Sequence, residues 1–537
     1  MNKTWIKYLL SVVLIAGLIL PAVACTGGGT TTTGATTGAT TTKPGSTTAA
    51  TTTTQATTTA DPFLTGEKPE LNILMYYLPY DLHQQPSHAV LEEMTGYKIN
   101  WFNLPQENAT EKLMLDIAGG VSYDFIDRAI GGDAYGQLNA QNALMPVDEL
   151  LEKYGANIME AVSEIAWKAV ANADGKRYGI PLESFDGPRG ADSDPYGVLK
   201  GGIGFRSDAL EAINKTLPTT LDEFYDVLKA YKDQTDKIPF TSTATGWYNF
   251  LLSGFGMGDA GWYKIDGKYV HRIKHPGMLD YLKYVQKLYA EGLLDNDMPI
   301  NASANAREKY SSNNAMATPM YFWDIPALKA ALETNNPNAK NLIATFLAKD
   351  AATKPTVYIN QGISNIACIP KTAKNPEHAI IWFNILSDRD NFQKIYIGEE
   401  GDSYEVKDNK YYPIFPKFND FQNADKFIGV MHSDVVFQMW QARARKTPEM
   451  AEAYDQMNAR IDAYVLQPFF DSYASSLPAV MNSQLALNTM INDKLIKAIA
   501  EGTDAEAALA DIIAEWDKGG GLEQEEAINA WYAENFG

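Results

Sequence analysis

Three apolar runs of strand length, separated by two helical stretches, constrain this chain more than any other feature. Leu71-Asn-Ile-Leu-Met-Tyr-Tyr77, Tyr97-Lys-Ile-Asn-Trp-Phe102 and Tyr123-Asp-Phe-Ile-Asp127 read as strands. Between them, Pro86 to Met94 carries a helix signal, and Glu107 to Ala118 sets Leu113, Leu115 and Ile117 on a second helix stopped by Gly119-Gly120. Strand, helix, strand, helix, strand means right-handed crossovers and a largely parallel sheet, so the fold class is α/β. Ligands of such sheets sit outside the carboxyl ends of the strands, which puts Tyr76, Tyr77, Tyr80 and Asp127 near any site of this lobe.

One such sheet does not account for 537 residues. Domains run to roughly 100–200 residues, so at least two lobes are expected. The N-terminus is not part of them. Lys3 and Lys7 precede and enter an apolar run from Tyr8 to Leu20, followed by Pro21-Ala-Val-Ala24-Cys25, which is the pattern of a secretory signal over residues 1–24. At about 13 residues the run is shorter than the ~20 that span a bilayer. Ala22-Val-Ala24-Cys25 resembles the lipobox of bacterial lipoproteins, with Ala22 where Leu is usual. The resemblance implies that Cys25 is acylated and holds the protein at the outer face of the cytoplasmic membrane; the plainer alternative is a secreted protein cut after Ala24. From Thr26 to Asp61 about half the residues are Thr, so 25–61 reads as a lipidated Cys and an unstructured tether, about 100 Å when fully extended.

The formal net charge of −21 excludes a nucleic-acid partner and disfavours an anionic membrane surface, because both need a concentrated positive footprint. It also modestly disfavours acidic sugars, although charge inside a cleft can oppose the global sign. Cys25 and Cys368 are the only cysteines, so no disulfide framework exists and no Cys-based zinc site; Cys368 is expected as a small buried hydrophobe.

Further along, Gly175-Lys-Arg-Tyr-Gly-Ile-Pro-Leu-Glu183 is a turn and a short strand. Thr220 and Glu223 have capping-box spacing before a helix with Leu221, Phe224, Leu228 and Tyr231 on one face. Helices follow at Met278 to Gly292, and after Asn375-Pro-Glu with Ala379, Trp382, Phe383 and Leu386 facing inward. The ordered set Tyr178-Gly-Ile-Pro181, Gly204-Phe-Arg-Ser-Asp-Ala-Leu210, Leu217-Pro-Thr-Thr-Leu-Asp-Glu223, Glu291-Gly-Leu-Leu294, Ile369-Pro-Lys-Thr-Ala-Lys-Asn-Pro-Glu377 and Gly398-Glu-Glu-Gly-Asp-Ser-Tyr-Glu405 resembles the extracellular solute-binding proteins of family 1, the carbohydrate receptors of ABC importers. The likeness extends over roughly Pro69 to Phe536 and is nearest the long lipoprotein branch.

That resemblance implies a two-lobed, type II periplasmic-binding-protein-like fold with discontinuous lobes and a hinge that closes on solute. Crossings are expected near Pro181 to Phe205, near Val357 to Ile366 and within 400–440. The first lobe would comprise 62–181 and about 357–430, and the second 182–356 and about 431–537. It also implies ABC permease subunits as partners, a monomer, no cofactor and no catalysis; a long body leans toward an oligosaccharide by analogy.

Pyranose faces stack on aromatics while their hydroxyls bond planar polar groups. Candidate ligand residues are therefore Trp247 and Tyr248 in Thr245-Gly-Trp-Tyr-Asn249, Trp323 and Asp324 after a strand ending near Met320, and Tyr76, Tyr77, Trp262, Glu183 and Asp127, with Trp247 and Trp323 foremost. About half of such aromatics should be core. Arg206 is more often a salt-bridge partner than a ligand contact. Gly256-Met-Gly-Asp-Ala-Gly261 spells a dinucleotide fingerprint, but no helix pattern follows it; no phosphate loop or nucleophile elbow occurs. His271 and His275 lack an adjoining Glu, and Asp295-Asn-Asp297 lacks the spacing of a calcium loop, so no metal is expected. Two rivals stay open. Glu183 and Asp324 could serve a glycan-cleaving enzyme, and a surface carbohydrate adhesin would need the tether but no hinge. A peptide or another small solute is the alternative ligand.

Overall fold

The computed structural model describes residues 61–183, 197–243, 249–469, 471–474 and 477–536, apart from 173, 259 and 338. All of these belong to one compact unit, Ala60–Gly537. The signal, Cys25 and nearly all of the expected tether lie outside the described residues. Asp61, expected to end the tether, belongs to the body: it caps the helix Pro62–Thr65 and accepts from the Lys153 ammonium at 2.9 Å and the Tyr154 hydroxyl at 3.1 Å.

The strands of interest are, in chain order, β1 (Leu71–Met75), β2 (Ile99–Asn103), β3 (Phe125–Ile126), β4 (Gly179–Glu183), β5 (Gly201–Arg206) and β6 (Ile238–Phe240). They continue with β7 (Ala315–Tyr321), β8 (Asn341–Ala344), β9 (Thr356–Asn360), β10 (Ile363–Cys368) and β11 (Val465–Phe469). The first sheet runs β2-β1-β3-β10-β4. β1 is parallel to β2 and β3, as the alternating pattern requires, while β10 returns from far along the chain and inserts antiparallel between β3 and β4. The first lobe is therefore discontinuous in sequence. β1 is buried along its length except at half-buried Asn72, which is why it reads as a nearly continuous apolar run rather than an alternating one. On one face lies the helix Pro376–Leu386, whose Trp382 and Phe383 reach Phe125 with ring centroids 6.0 and 4.9 Å away. Burying rings of this size contributes about 2–3 kcal/mol each. Asp124 fixes that helix by accepting from the Lys374 and Asn375 amides at 3.0 and 2.8 Å. Cys368 is fully buried in the same sheet.

The second sheet runs β8-β5-β7-β6, with β5 antiparallel to both neighbours and β6 parallel to β7. β5 is glycine-rich because it is squeezed: a Cβ on Gly202 would stand 1.9 Å from the Ala344 carbonyl oxygen. The helix Leu221–Gln234 covers the sheet through Phe224, which meets Phe205 and Phe240 edge-on. At its start the Thr220 hydroxyl accepts from the Glu223 amide at 3.2 Å, while Glu223 reaches back one residue further than a standard capping box, to the Thr219 amide and hydroxyl.

The chain passes from one sheet to the other at several points. It leaves β4 at Glu183 and enters β5 at Gly201. It leaves β8 at Ala344 and returns through β9 to β10. After a hairpin, Tyr404–Pro413, the helix Val436–Ala444 packs on that hairpin, whereas the next helix, Pro448–Asn458, packs on the Phe322–Asp324 turn of the second sheet. That passage falls at 445–447, just beyond the stretch where weak periodicity left the expectation. β11 then runs parallel to β9 with Thr356 opposite Val465 and Asn360 opposite Phe469, and delivers Asp471–Ala474 to β10. The long helix Pro478–Glu501 finally packs against both Gly132–Ala140 and Met278–Ala290.

Candidate functional site

The crossings define which ends of the strands face each other. Chain leaves the first sheet from the carboxyl end of β4 and re-enters it at the amino end of β10, so the carboxyl ends of β1, β3 and β4 point toward the second sheet. By the same logic the carboxyl ends of β6, β7 and β8 and the amino end of β5 point back. Ligand positions of both sheets thus share one junction.

On the first edge, β1 ends at Met75, and Tyr76 and Tyr77 follow it rather than belonging to it. Tyr77 is 41% exposed. Tyr76 is half-buried beneath the Lys426 ammonium, 5.5 Å above its ring. Tyr80 stands in the same group, its hydroxyl pushed up to about 12 by burial.

On the second edge, β7 ends at Tyr321 and turns through Phe322–Asp324. Phe322 is buried against Tyr454, ring centroids 5.2 Å apart, and this anchor leaves its neighbours on the surface. Tyr321 and Trp323 stack face to face at 4.5 Å and 6°, and are 37% and 43% exposed. Trp440, from the helix Val436–Ala444, meets Trp323 edge-on at 6.5 Å. Beside this platform a cavity of about 220 Å³ is lined by Ser242, Thr243, Phe250, Arg307, Tyr321 and Asp324. Such a stacked, exposed indole and phenol is what the apolar face of a sugar ring requires, and the hydroxyls and guanidinium beside it are hydrogen-bonding groups.

The remaining expectations fare differently. Trp247 and Tyr248 lie outside the described residues. Trp262 is a core residue instead: it opens a short hairpin that the C-terminal helices cover, edge-on to His271 at 5.1 Å and 6.0 Å from Trp516. Glu183 is buried at the end of β4, accepting from the Ser163 amide (2.9 Å), the Ser163 hydroxyl (2.8 Å) and the Tyr473 hydroxyl (2.5 Å). It ties crossing segments together and is no open polar handle. Asp324 is buried too, accepting from the Tyr321 amide at 3.0 Å and the Arg307 guanidinium at 2.7 Å, so it shapes the turn that presents Trp323. Asp127, 1% exposed, receives Arg128 at 2.5 Å on one oxygen while the other has no hydrogen-bond partner. Burial pushes its carboxyl up to about 6 against the pull of Arg128. Arg206 is a buried ion-pair partner of Asp208.

Asp295 and Asp297 hold a cation of the chain's own. The Lys309 ammonium stands 2.8 Å from each carboxylate and 3.1 Å from the Asn301 side-chain oxygen. Among the described residues no group of three or more His, Cys, Asp or Glu is placed to hold a metal ion.

Sequence reasoning missed the region around Asp425. Lys426 and Arg443 both bridge this carboxylate, and Lys446 donates to the Gln422 carbonyl. The signal was present as Arg443-Ala-Arg445-Lys446, three cations within four residues of an acidic chain. Burial opposes the charge on Asp425, yet Lys426, Arg443 and Lys446 hold its carboxyl far below the usual range.

Two α/β lobes joined by crossing strands, with aromatic and polar groups at the facing strand ends, define a two-lobed binding protein. The sequence profile of the bacterial extracellular solute-binding proteins matches residues 88–401, and the chain belongs to that family. It is 21% identical over 471 residues to lipoprotein LipO of Bacillus subtilis, an alignment covering 84% of this chain and 89% of that one. Among solved structures it is similar to the alginate-binding protein AlgQ2 without calcium ion, at TM-score 0.62 and 19% identity, over 88% of this chain and 99% of that one. It is similar also to the ABC-transporter substrate-binding protein FusA of S. pneumoniae, an EF-hand mutant in complex with fructo-nystose, at TM-score 0.63 and 18% identity, over 87% and 99% of the chains. The two solved structures are of binding proteins, and the likeness to them is one of fold.

Proposed function

We propose that this protein is a receptor for a carbohydrate, an oligosaccharide, which it delivers to ABC permease subunits after its lobes close on the sugar. The observation that carries the reading is the exposed Tyr321–Trp323 stack at the carboxyl end of β7. The sugar-binding solved relatives lend it support. The lipobox-like Ala22-Val-Ala24-Cys25 and the likeness to a lipoprotein support anchorage through Cys25 at the extracellular face of the membrane, with the Thr-rich segment as a spacer. A catalytic reading finds less support, because Glu183 and Asp324 are both buried and hydrogen-bonded within the fold.

The test is titration calorimetry of the purified chain against oligosaccharides, with small-angle scattering before and after saturation. Stoichiometric binding with compaction and no product supports the receptor. Trp323→Ala should weaken binding about tenfold, since ring stacking is worth about 0.5–1.5 kcal/mol beyond area burial. Steady release of cleaved sugar would overturn the proposal.

A further inference from the structure

The chain's formal charge is −21, yet the patch beside the first strand edge is cationic. Arg128, Lys426, Arg443 and Lys446 gather there around two carboxylates, Asp127 and Asp425, a surplus of two positive charges. They form one group electrostatically: Arg443, Asp425, Lys426 and Arg128 all act on the buried Tyr396 hydroxyl.

The four cations are not equally committed. Arg443 is buried and donates to the carbonyls of Tyr396, Phe421 and Gln422 at 2.8–3.0 Å as well as to Asp425. Arg128 is spent on Asp127 and, at 2.6 Å, on the Gly429 carbonyl. The guanidinium forks that match phosphate or sulfate are thus turned inward. What stays partly accessible is ammonium, since Lys426 and Lys446 are both half-buried. Lys426 lies over Tyr76, the residue that follows β1, and shares Asp425 with Arg443. Lys446 makes one hydrogen bond, to the Gln422 carbonyl, and Asp425 is the only carboxylate acting on it among the described residues. Burial, with repulsion from Arg443 and Lys426, pulls its ammonium down to about 7, so a further anion there would relieve a strained cation. Lys446 follows by two residues the helix that carries Trp440, the ring set edge-on to Trp323.

We infer that the sugar taken by this protein is a uronic-acid oligosaccharide, with a ring carboxylate seated on Lys446 and Lys426 while a neighbouring ring stacks on Trp323. A lysine ammonium is a point charge that one carboxylate satisfies, and neutral sugar hydroxyls alone leave the surplus uncompensated. The inference rests on the carbohydrate reading above and adds the class of sugar.

The test uses the purified full chain, oligogalacturonate and oligomannuronate as charged probes, the fully methyl-esterified oligogalacturonate as the same chain without charge, and a neutral fructan oligosaccharide. One charged probe should bind at least about tenfold more tightly than the ester and fructan, the affinity of a charge-assisted contact, and should weaken with added salt. Lys446→Met should abolish the preference for acid over ester while melting at or above the wild-type temperature, and Lys426→Gln should reduce it in a chain that still melts cooperatively. Equal binding of acid and ester, or binding of the fructan alone, overturns the uronate assignment and leaves the sugar receptor standing. Silence toward the acids and the ester alike overturns the uronate assignment.

Discussion

Tyr473 donates its hydroxyl hydrogen to the Glu183 carboxylate, which lies 290 positions earlier in the chain. Glu183 ends the strand from which the chain first leaves the first sheet, and Tyr473 follows the strand by which it last returns. One carboxylate thereby clamps the first and last crossings. Tyr473→Phe removes a hydrogen bond to a charged acceptor and should cost about 1.5–3 kcal/mol by urea unfolding, with sugar affinity changed far less. An unchanged midpoint would mean that the clamp is ornamental.

Lys309 is the counter-charge of both Asp295 and Asp297. Lys309→Met leaves Asp295 and Asp297 facing each other without a counter-charge, and should lower stability by about 2 kcal/mol, a partly exposed version of a broken ion pair. Millimolar calcium should then raise the melting temperature of the variant more than that of the wild type. Differential scanning calorimetry with calcium and with chelator reads both effects.

Asp127 gives stability a slope with pH. Its folded carboxyl titrates near 6 and the unfolded group near 3.8, so the folded state holds the proton more tightly. Its contribution is full below about pH 4 and is lost as pH climbs through 6, with Arg128 limiting the loss. Relative to Asp127→Asn, the wild type should lose about 2 kcal/mol between pH 4 and pH 7. Urea melts of both chains at unit pH intervals test this, and parallel curves would refute it.

Cys25→Ala should shift the protein from the membrane fraction to the culture medium without altering the melting temperature of the body, because the helix Pro62–Thr65 begins beyond the spacer. Cell fractionation distinguishes this from a chain cut after Ala24, for which the substitution changes nothing.

The sequence made the first lobe legible because its information is local. Parallel strands, cap residues and apolar faces repeat within a few positions, and the helix after Asn375 buries Ala379, Trp382, Phe383 and Leu386 as its spacing requires. Where local spacing misled, geometry explains it: Leu115 sits two residues from Leu113 and from Ile117, a helical step that turns it 70% outward. Trp323 was legible as an aromatic following a strand before a proline-bearing helix. Glu183, Asp324 and Trp262 were not, because what decides their role is a partner far away in sequence, Tyr473, Arg307 and Trp516. The Asp425 cluster was hidden for a related reason. Its Arg443–Asp425 pair joins residues 18 positions apart, with no periodicity between them to mark it.

β9 and β11 pair over five residues, Thr356 to Asn360 against Val465 to Phe469. Two linkers hydrogen-bonded to each other cannot swivel separately, so they form a strap with one easy bending direction, across its thin dimension. Opening and closing would then follow a single arc rather than a wobble, and a sugar too long for that arc would be refused by the linkers before any contact residue could reject it.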